Sequence, residues 1–431
     1  MQEPIITFIR ACNPNEVLPP DDPRQVNCDE ARKGGVAPIL ARDFQRADPK
    51  QPLHRMFTGH LGVGKSTELQ RLVKLLNEQR IADVIYFDVA DHLDDTQDIR
   101  LDDLNILFAE RVIEHFKEKK IPIANSYLNR FWDSFRQILD TRFNATEASF
   151  GPKISLGPDV SVGIGEVKLE IEKGSPTSRQ LIREAISETR ATLREGLNDL
   201  LSEARKKIGR NVVIIADGIE KVPPRRHEEI FIEGIHQLVD LDAHVLFSVP
   251  MALNYHPRFS ELTQAFGQVP RAVPMIHPDT PEGMGCMKNI VLKRAEYSGL
   301  TLDDTFESPE VLEKLCRQSG GHVRQILIFI QSACSYINAL PITMDALDRS
   351  LADFRNGISR QIASDLWPWL RRFKDGKLQG MPEGIPGDAS RDLVNGLLVF
   401  EYINCQPTYD VSPEIRNLAP FHREDPANAS A

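Results

Sequence analysis

A chain of 431 residues is long enough for two or three domains. With 41% hydrophobic and 26% charged residues it has an ordinary globular composition, which excludes disorder on compositional grounds. Its 52 Lys and Arg against 62 Asp and Glu give a net charge of −10, which excludes a histone-like coat for nucleic acid but leaves room for a local basic patch.

No apolar run reaches the ~18–20 residues of a membrane helix, and Met-Gln-Glu-Pro at the start lacks the basic lead and apolar core of a signal peptide. The cysteines Cys12, Cys28, Cys286, Cys316, Cys334 and Cys405 are scattered without a CxxC pair, so reduced structural thiols are expected. These features predict a cytoplasmic protein with no membrane partner.

In chain order, residues 13–24 carry four prolines and predict an extended or turning arm within a 1–50 N-terminal segment. Leu53–Thr58 is a short apolar run leading into glycine-rich sequence. Leu69, Leu72, Val73, Leu75 and Leu76 then have helical spacing. Val84–Val89 predicts a buried strand and Leu104–Phe116 an amphipathic helix. From 121 to 175 the alternation breaks. After the aromatics Phe131, Trp132, Phe135, Phe143 and Phe150, residues Ile154, Leu156, Val160, Val162, Ile164, Val167, Leu169 and Ile171 predict a small β-hairpin or meander inserted into the core. A polar helix follows over about 177–207. Then come a strand at Val212–Ala216, a helix near 227–241, a strand at Val245–Val249 and a short strand at Val273–Met275. Strands alternating with helices over 51–280 predict a parallel sheet covered on both faces, an α/β class.

After Pro281 the pattern is helical: 283–298, 308–318, 321–338 and 345–373. A Gly/Pro-rich loop covers 374–389. Residues 390–418 predict a helix, a strand at Leu398–Ile403, a turn at Asn404-Cys405-Gln406-Pro407, a strand near Thr408–Val411 and a last helix. The expected division is a helical lid over 281–343, a winged-helix-like domain over 344–423 and a disordered tail over 424–431. Trp367-Pro368-Trp369 is expected to pack as core.

Gly59-His60-Leu61-Gly62-Val63-Gly64-Lys65-Ser66 fits G-x-x-x-x-G-K-[ST], placed after an apolar strand and opening a helix. Glycines let successive backbone N–H groups turn in on phosphates, and the helix N-terminus adds positive dipole. Gly59, Gly62, Val63, Gly64, Lys65, Ser66 and Thr67 are thus the expected nucleotide-binding residues, with Thr67 capping the helix or facing solvent. Lys65 is suited to the β- and γ-phosphates and Ser66 to Mg²⁺. Asp217, ending the Val212–Ala216 strand, is the expected second Mg²⁺ residue. Asp88 is the weaker competitor, its neighbours Asp91, Asp94 and Asp95 reading as a solvated acidic loop. Glu220 is a candidate to polarise the attacking water; an ion pair with Lys221, Arg225 or Arg226 is the alternative.

These motifs, with Ser248 ending the next strand and Gly320-Gly321-His322-Val323-Arg324 opening a later helix, resemble the AAA+ and STAND class of P-loop ATPases over about residues 50–420. Within that class the Orc/Cdc6-like and STAND branches, with a helical lid and a winged helix, are the most similar. The resemblance implies ATP and Mg²⁺ as cofactors, Ser248 as the polar residue beside the γ-phosphate and Arg324 as the lid arginine that senses it. The chain departs from the family pattern in having Gly218 directly after Asp217 and no arginine after Ser248. Arg271 and Arg294 are the only arginine-finger guesses. These departures favour a slow switch over a fast motor.

Three readings follow. The first is an ATP-dependent switch that couples nucleotide state to self-association or to a separate protein effector, which the resemblance extends to bacterial signalling or antiphage defence. The second is an Orc-like DNA-acting ATPase, disfavoured by 13 acidic against 10 basic residues over 344–431. The third, a small-molecule kinase, lacks an acceptor lid. Dispersed histidines predict no structural metal site.

Overall fold

Val212–Ala216 forms a strand buried on both faces because a β-branched run has no polar side to offer water. It lies one strand in from the edge of the sheet in an α/β core. The structure is a computed structural model that describes residues 3–48, 51–93, 99–121, 125–144, 160–404 and 406–423. In the core, β1 (His54–Thr58), β2 (Ala82–Asp88), β3 (Asn211–Asp217), β4 (His244–Ser248) and β5 (Arg271–Ala272) make a parallel sheet in the order β2-β3-β4-β1-β5. The edge strand β5 lies two residues earlier than expected, pairing Phe57 with Arg271 and Thr58 with Ala272. Because β4 separates β1 from β3, Ser248 ends the strand between the phosphate loop and Asp217.

Helices cover both faces. On one lie α2 (Val36–Arg46) and α3 (Lys65–Glu78), sharing a core with Phe57, Leu246 and Val273. On the other lie α4 (Leu101–Glu118), α5 (Asn129–Asn144), α6 (Val160–Lys173) and α7 (Pro176–Ile208). The expected helix near 227–241 is a π-helical turn over Glu228–Glu233 followed by α8 (Ile235–Leu238). Next, α9 (Phe259–Phe266) packs Leu262 and Phe266 into the same core.

The β-hairpin expected within 121–175 is not what the structure shows at its described residues. Ile154 and Leu156 lie outside them, but the rest of the run is α6. Ile164, Val167 and Ile171 are buried while Val162 and Leu169 are exposed, which is one helical stripe. The β-branched content misled, since the same residues satisfy both periods. Gly163 settles it: a Cβ there would sit 2.0 Å from the Trp132 ring, so only glycine lets α6 approach α5. Trp132, Phe131 and Phe135 are fully buried, so the described helices of the 121–175 region belong to the main core.

The 1–50 segment is likewise more than an arm. Residues 13–24 do run without helix or strand, but α1 (Glu3–Ala11) precedes them and buries Ile5 and Phe8 among residues of the 281–343 helices, while α2 follows and packs on α3. The helices expected over 281–343 are α10 (Pro281–Tyr297), α11 (Leu302–Thr305), α12 (Pro309–Gln318) and α13 (Val323–Cys334). Beyond them come α14 (Met344–Gln361), α15 (Trp367–Arg371) and α16 (Gly387–Asn395). The chain ends in the antiparallel pair β6 (Val399–Asn404) and β7 (Gln406–Val411), then α17 (Pro413–Arg416) and α18 (Ala419–His422). Helices followed by a hairpin are the order expected from sequence. Cys405 and the tail lie outside the described residues. No helix among those described is long and apolar enough to cross a membrane.

Candidate functional site

Between β1 and α3 the chain turns at Gly59, Gly62 and Gly64, with φ of 149°, 84° and 100°. Side chains other than glycine are strained at such angles, so the motif's glycines are a backbone requirement. The turn points the N-terminus of α3 at the loop's hollow, where its free N–H groups and dipole favour an anion. Ser66 and Thr67 line that hollow; Thr67 is a wall residue rather than a solvent-facing cap. Lys65 is buried, its Nζ donating to the carbonyls of Gly59 (3.1 Å) and His60 (3.2 Å) and pairing with Glu220 Oε1 at 3.1 Å.

Glu220 therefore takes none of the partners expected of it from sequence; its partner is the phosphate-loop lysine. Its other oxygen, Oε2, accepts from the Ser248 hydroxyl at 2.6 Å, and that hydroxyl accepts from the Ile219 N–H at 3.2 Å. Burial alone would raise the Glu220 carboxyl, but the Lys65 ammonium and the Ser248 hydroxyl hold it below the ordinary value. Ser248, wholly buried, bonds to Glu220 and does not line the cleft.

Asp217 is fully buried at the end of β3. One oxygen accepts from the Tyr86 hydroxyl at 3.0 Å, the other from the Gly218 N–H at 2.8 Å, and the Ser66 hydroxyl bonds the carboxylate as well. Burial, reinforced by the nearby Glu220 charge, pushes its pKa up to about 6. An acid so destabilised in its charged form, with a serine hydroxyl on it, fits a divalent cation. Asp88 stands opposite Asp217 in register but is engaged by Lys221 Nζ at 2.6 Å and by the Ala90 N–H. Among the described residues no group of three or more His, Cys, Asp or Glu is arranged to hold a metal.

The roof of the site comes from α13 and the C-terminal hairpin. His322 caps α13 with its Nδ1 and places its Nε2 2.5 Å from the Leu61 carbonyl, while the Arg324 N–H donates to the Gly62 carbonyl at 3.1 Å. Gly62 has no room for a side chain here, since a Cβ would lie 2.6 Å from that of Arg324. His60 points the other way and accepts the Glu401 N–H at 2.8 Å. The Phe400 ring stacks on His322 and meets His60 edge-on, with centroids 5.8 Å away in both cases. Burial pushes the pKa of His60 to about 3 and that of His322 to about 4, so both rings are neutral.

Under this roof lies a cleft of about 310 Å³ walled by Pro14–Leu18, the phosphate loop, Glu220, Arg294 and Arg324. Arg324 lines it as expected, its Nε donating to the Pro14 carbonyl at 3.2 Å. Arg294 lines it too, from the same chain, and so is not placed to act as a finger in a neighbour's site. Arg271 sits at the β5 edge near Asp43, away from the cleft. Sequence reasoning missed Arg32, buried, which donates to the Val63 carbonyl at 2.7 Å and pairs with Glu68 at 3.1 Å. It missed His60 and Glu401 as well. An x position of the loop motif gives no hint that its side chain faces the C-terminal hairpin.

Comparison with protein-family models and with curated proteins found no match for this chain. Solved structures with similar order include the Orc2 protein of Aeropyrum pernix in ADPNP–ADP complexes, 12% identical over 94% of this chain and 93% of that one, with a TM-score of 0.46. A Walker-type ATPase of Pyrococcus abyssi is 15% identical over 95% and 100%, with a TM-score of 0.45. Cdc6p from Pyrobaculum aerophilum is 12% identical over 96% of each chain, with a TM-score of 0.41. Superpositions this loose assign no role to any residue here, and the α/β assignment stands on the chain's own strand order and phosphate loop.

Proposed function

We propose that this protein is an ATP-binding, slowly hydrolysing switch of AAA+/STAND-like type, acting in the cytoplasm. One observation carries the reading: the same phosphate loop is gripped from below by Lys65, Glu220 and Ser248 and from above by His322, Arg324 and Glu401. A ligand that reorders the loop must then alter its contacts with lid and hairpin, which is a local charge event biasing a two-state element. Loop N–H groups and Lys65 would hold the phosphates, and Ser66 with Asp217 would hold Mg²⁺, which would neutralise charge on the phosphate oxygens. Glu220 would orient the water, positioned for it by Ser248, and Arg324 would sense the γ-phosphate. Because Lys65 must leave Glu220 to meet a phosphate, binding itself would free the carboxylate. Output would pass through self-association or a separate protein effector, and a role in signalling or antiphage defence rests on the family resemblance alone.

The test measures bound nucleotide and light-scattering mass for wild type and Lys65→Ala, with and without ATP and Mg²⁺. Nucleotide binding and a mass change in wild type, both lost in the variant, uphold the switch. Absence of nucleotide from wild type sinks it.

The DNA-acting, Orc-like reading has its own observation. Lys374 Nζ reaches the carbonyls of His422 and Arg423 and its own carbonyl accepts from Arg416, which brings Lys374, Arg416 and Arg423 together at one end of the C-terminal region, with Arg371 and Arg372 just before Lys374 in the chain. An ATP-dependent, salt-sensitive mobility shift that disappears in Arg372→Glu/Lys374→Glu would select this reading over the effector one.

A further inference from the structure

Cys28 and Cys286 are 258 residues apart in sequence, yet their Sγ atoms lie 2.9 Å from each other. The Cys286 thiol donates to Cys28, and the Cys28 thiol donates in turn to the Val26 carbonyl at 3.5 Å. A disulfide needs ~2.05 Å between sulfurs, so joining them takes a closure of only about 1 Å. The elements they belong to give the pair its meaning. Cys28 opens a turn pinned to the core: Asp29 forms a two-pronged pair with Arg71 of α3 at 2.5 Å, and Arg32 holds the Val63 carbonyl and Glu68. Cys286 sits on α10, the first helix of the lid.

We propose that Cys28 and Cys286 are an oxidative modification site, at which hydrogen peroxide joins them in a disulfide that staples lid to core beside the phosphate loop. The electron count closes. The Cys28 thiolate takes the distal oxygen of peroxide, giving a sulfenic acid and hydroxide. The Cys286 sulfur then attacks that sulfur and expels the second hydroxide. Two thiols are oxidised, one peroxide is reduced, and the two protons released convert the hydroxides to water. Peroxide has a path, because Cys28 lines a cavity of about 70 Å³ that shares Leu18, Gly64, Thr67, Arg294 and Val323 with the main cleft. Cys28 is the natural first nucleophile: the thiol hydrogen bond from Cys286 lowers its pKa, and the Arg32 guanidinium adds to that.

The consequence for exchange rests on the nucleotide reading above. A lid fixed to the core cannot lift from the cleft, so bound nucleotide is trapped. The experiment treats the reduced full-length protein with stoichiometric peroxide, alkylates it, maps cysteine linkages by peptide mass, and measures release of a fluorescent ADP analogue and protease cleavage of the lid. The expected result is a 28–286 link that thiol reductant reverses. With it come about tenfold slower release and slower lid cleavage, both abolished in Cys28→Ser and Cys286→Ala. Thiols that stay fully alkylatable, linkage to other cysteines, or a link that changes neither readout would overturn the proposal. A protein that binds no ADP analogue would refute the nucleotide reading, leaving the linkage map and lid cleavage to decide the staple.

Discussion

The two sides of the phosphate loop are built from opposite materials. Below it, charge does the holding: Lys65 and Glu220 are a buried ion pair, and Asp217 is a buried acid lifted to about 6. Above it, the contacts are neutral, with His60 and His322 depressed to about 3 and 4 and most bonds running to backbone groups. A charged floor is suited to phosphate and metal, whereas a neutral roof is suited to the shape of the loop. The difference separates chemistry from coupling, and mutations can pull the two apart.

The largest effect belongs to the floor. Lys65→Ala should lower ATP affinity by two orders of magnitude or more, about 3 kcal/mol by calorimetry. It also leaves Glu220 buried and unpaired, so the variant should lose about 3–5 kcal/mol of stability. Adding Glu220→Gln should recover most of that stability but none of the affinity. Recovery of both would mean that Lys65 acts only through Glu220.

Asp217→Asn comes next. Metal-dependent turnover should fall about 10²–10³-fold. Stability gives a second readout with a definite sign. Since the folded carboxyl titrates near 6 and the unfolded one near 3.8, the native state binds its proton more tightly. Wild type therefore loses stability as pH rises from about 4 to 6 and stays penalised above. Without Mg²⁺, the asparagine variant should be more stable at pH 8 by about 1–3 kcal/mol, the gain vanishing near pH 4. Equal unfolding curves for the two proteins at pH 8 would contradict the buried-acid account.

The roof should respond more gently. His60→Ala removes the acceptor of a buried N–H and should cost about 1–3 kcal/mol, with faster hydrogen exchange at Glu401 and little change in ATP affinity. Because both histidines titrate well below their ordinary 6.5, protonation opposes the docked state, and hairpin protection should fall as pH drops from about 6.5 towards 4. Smallest of all, Val162→Asp with Leu169→Asp on the exposed face of α6 should move stability by under about 1 kcal/mol. This pair tests whether a protein effector docks on that helix, and it leaves Trp132 in the core.

The floor was legible in sequence and the roof was not, for a physical reason. Lys65, Ser66 and Asp217 sit in local patterns whose spacing is dictated by a ligand, and a parallel sheet then brings the strand ends together. His60, His322 and Glu401 meet only through tertiary docking, which no local period encodes. Even on the floor, sequence offered Glu220 the lysine and arginines nearest in the chain, while topology gave it Lys65. The α6 region failed differently: Val160, Val162 and Ile164, and then Val167, Leu169 and Ile171, have strand spacing, while Ile164, Val167 and Ile171 have helical spacing, and Gly163 against Trp132 breaks the tie.

The order of strands in the sheet also bears on how the chain is made. β1 pairs only with β4 and β5, both of which follow it by most of the core's length. During synthesis at ~5–20 residues per second, the first strand and its loop wait on the order of ten seconds or more for their neighbour. The phosphate loop is thus finished early in sequence and late in space. In that interval Met56 and Phe57, buried in the finished sheet, have no strand to lie against, and the nascent chain should depend on a holding chaperone until β4 has emerged.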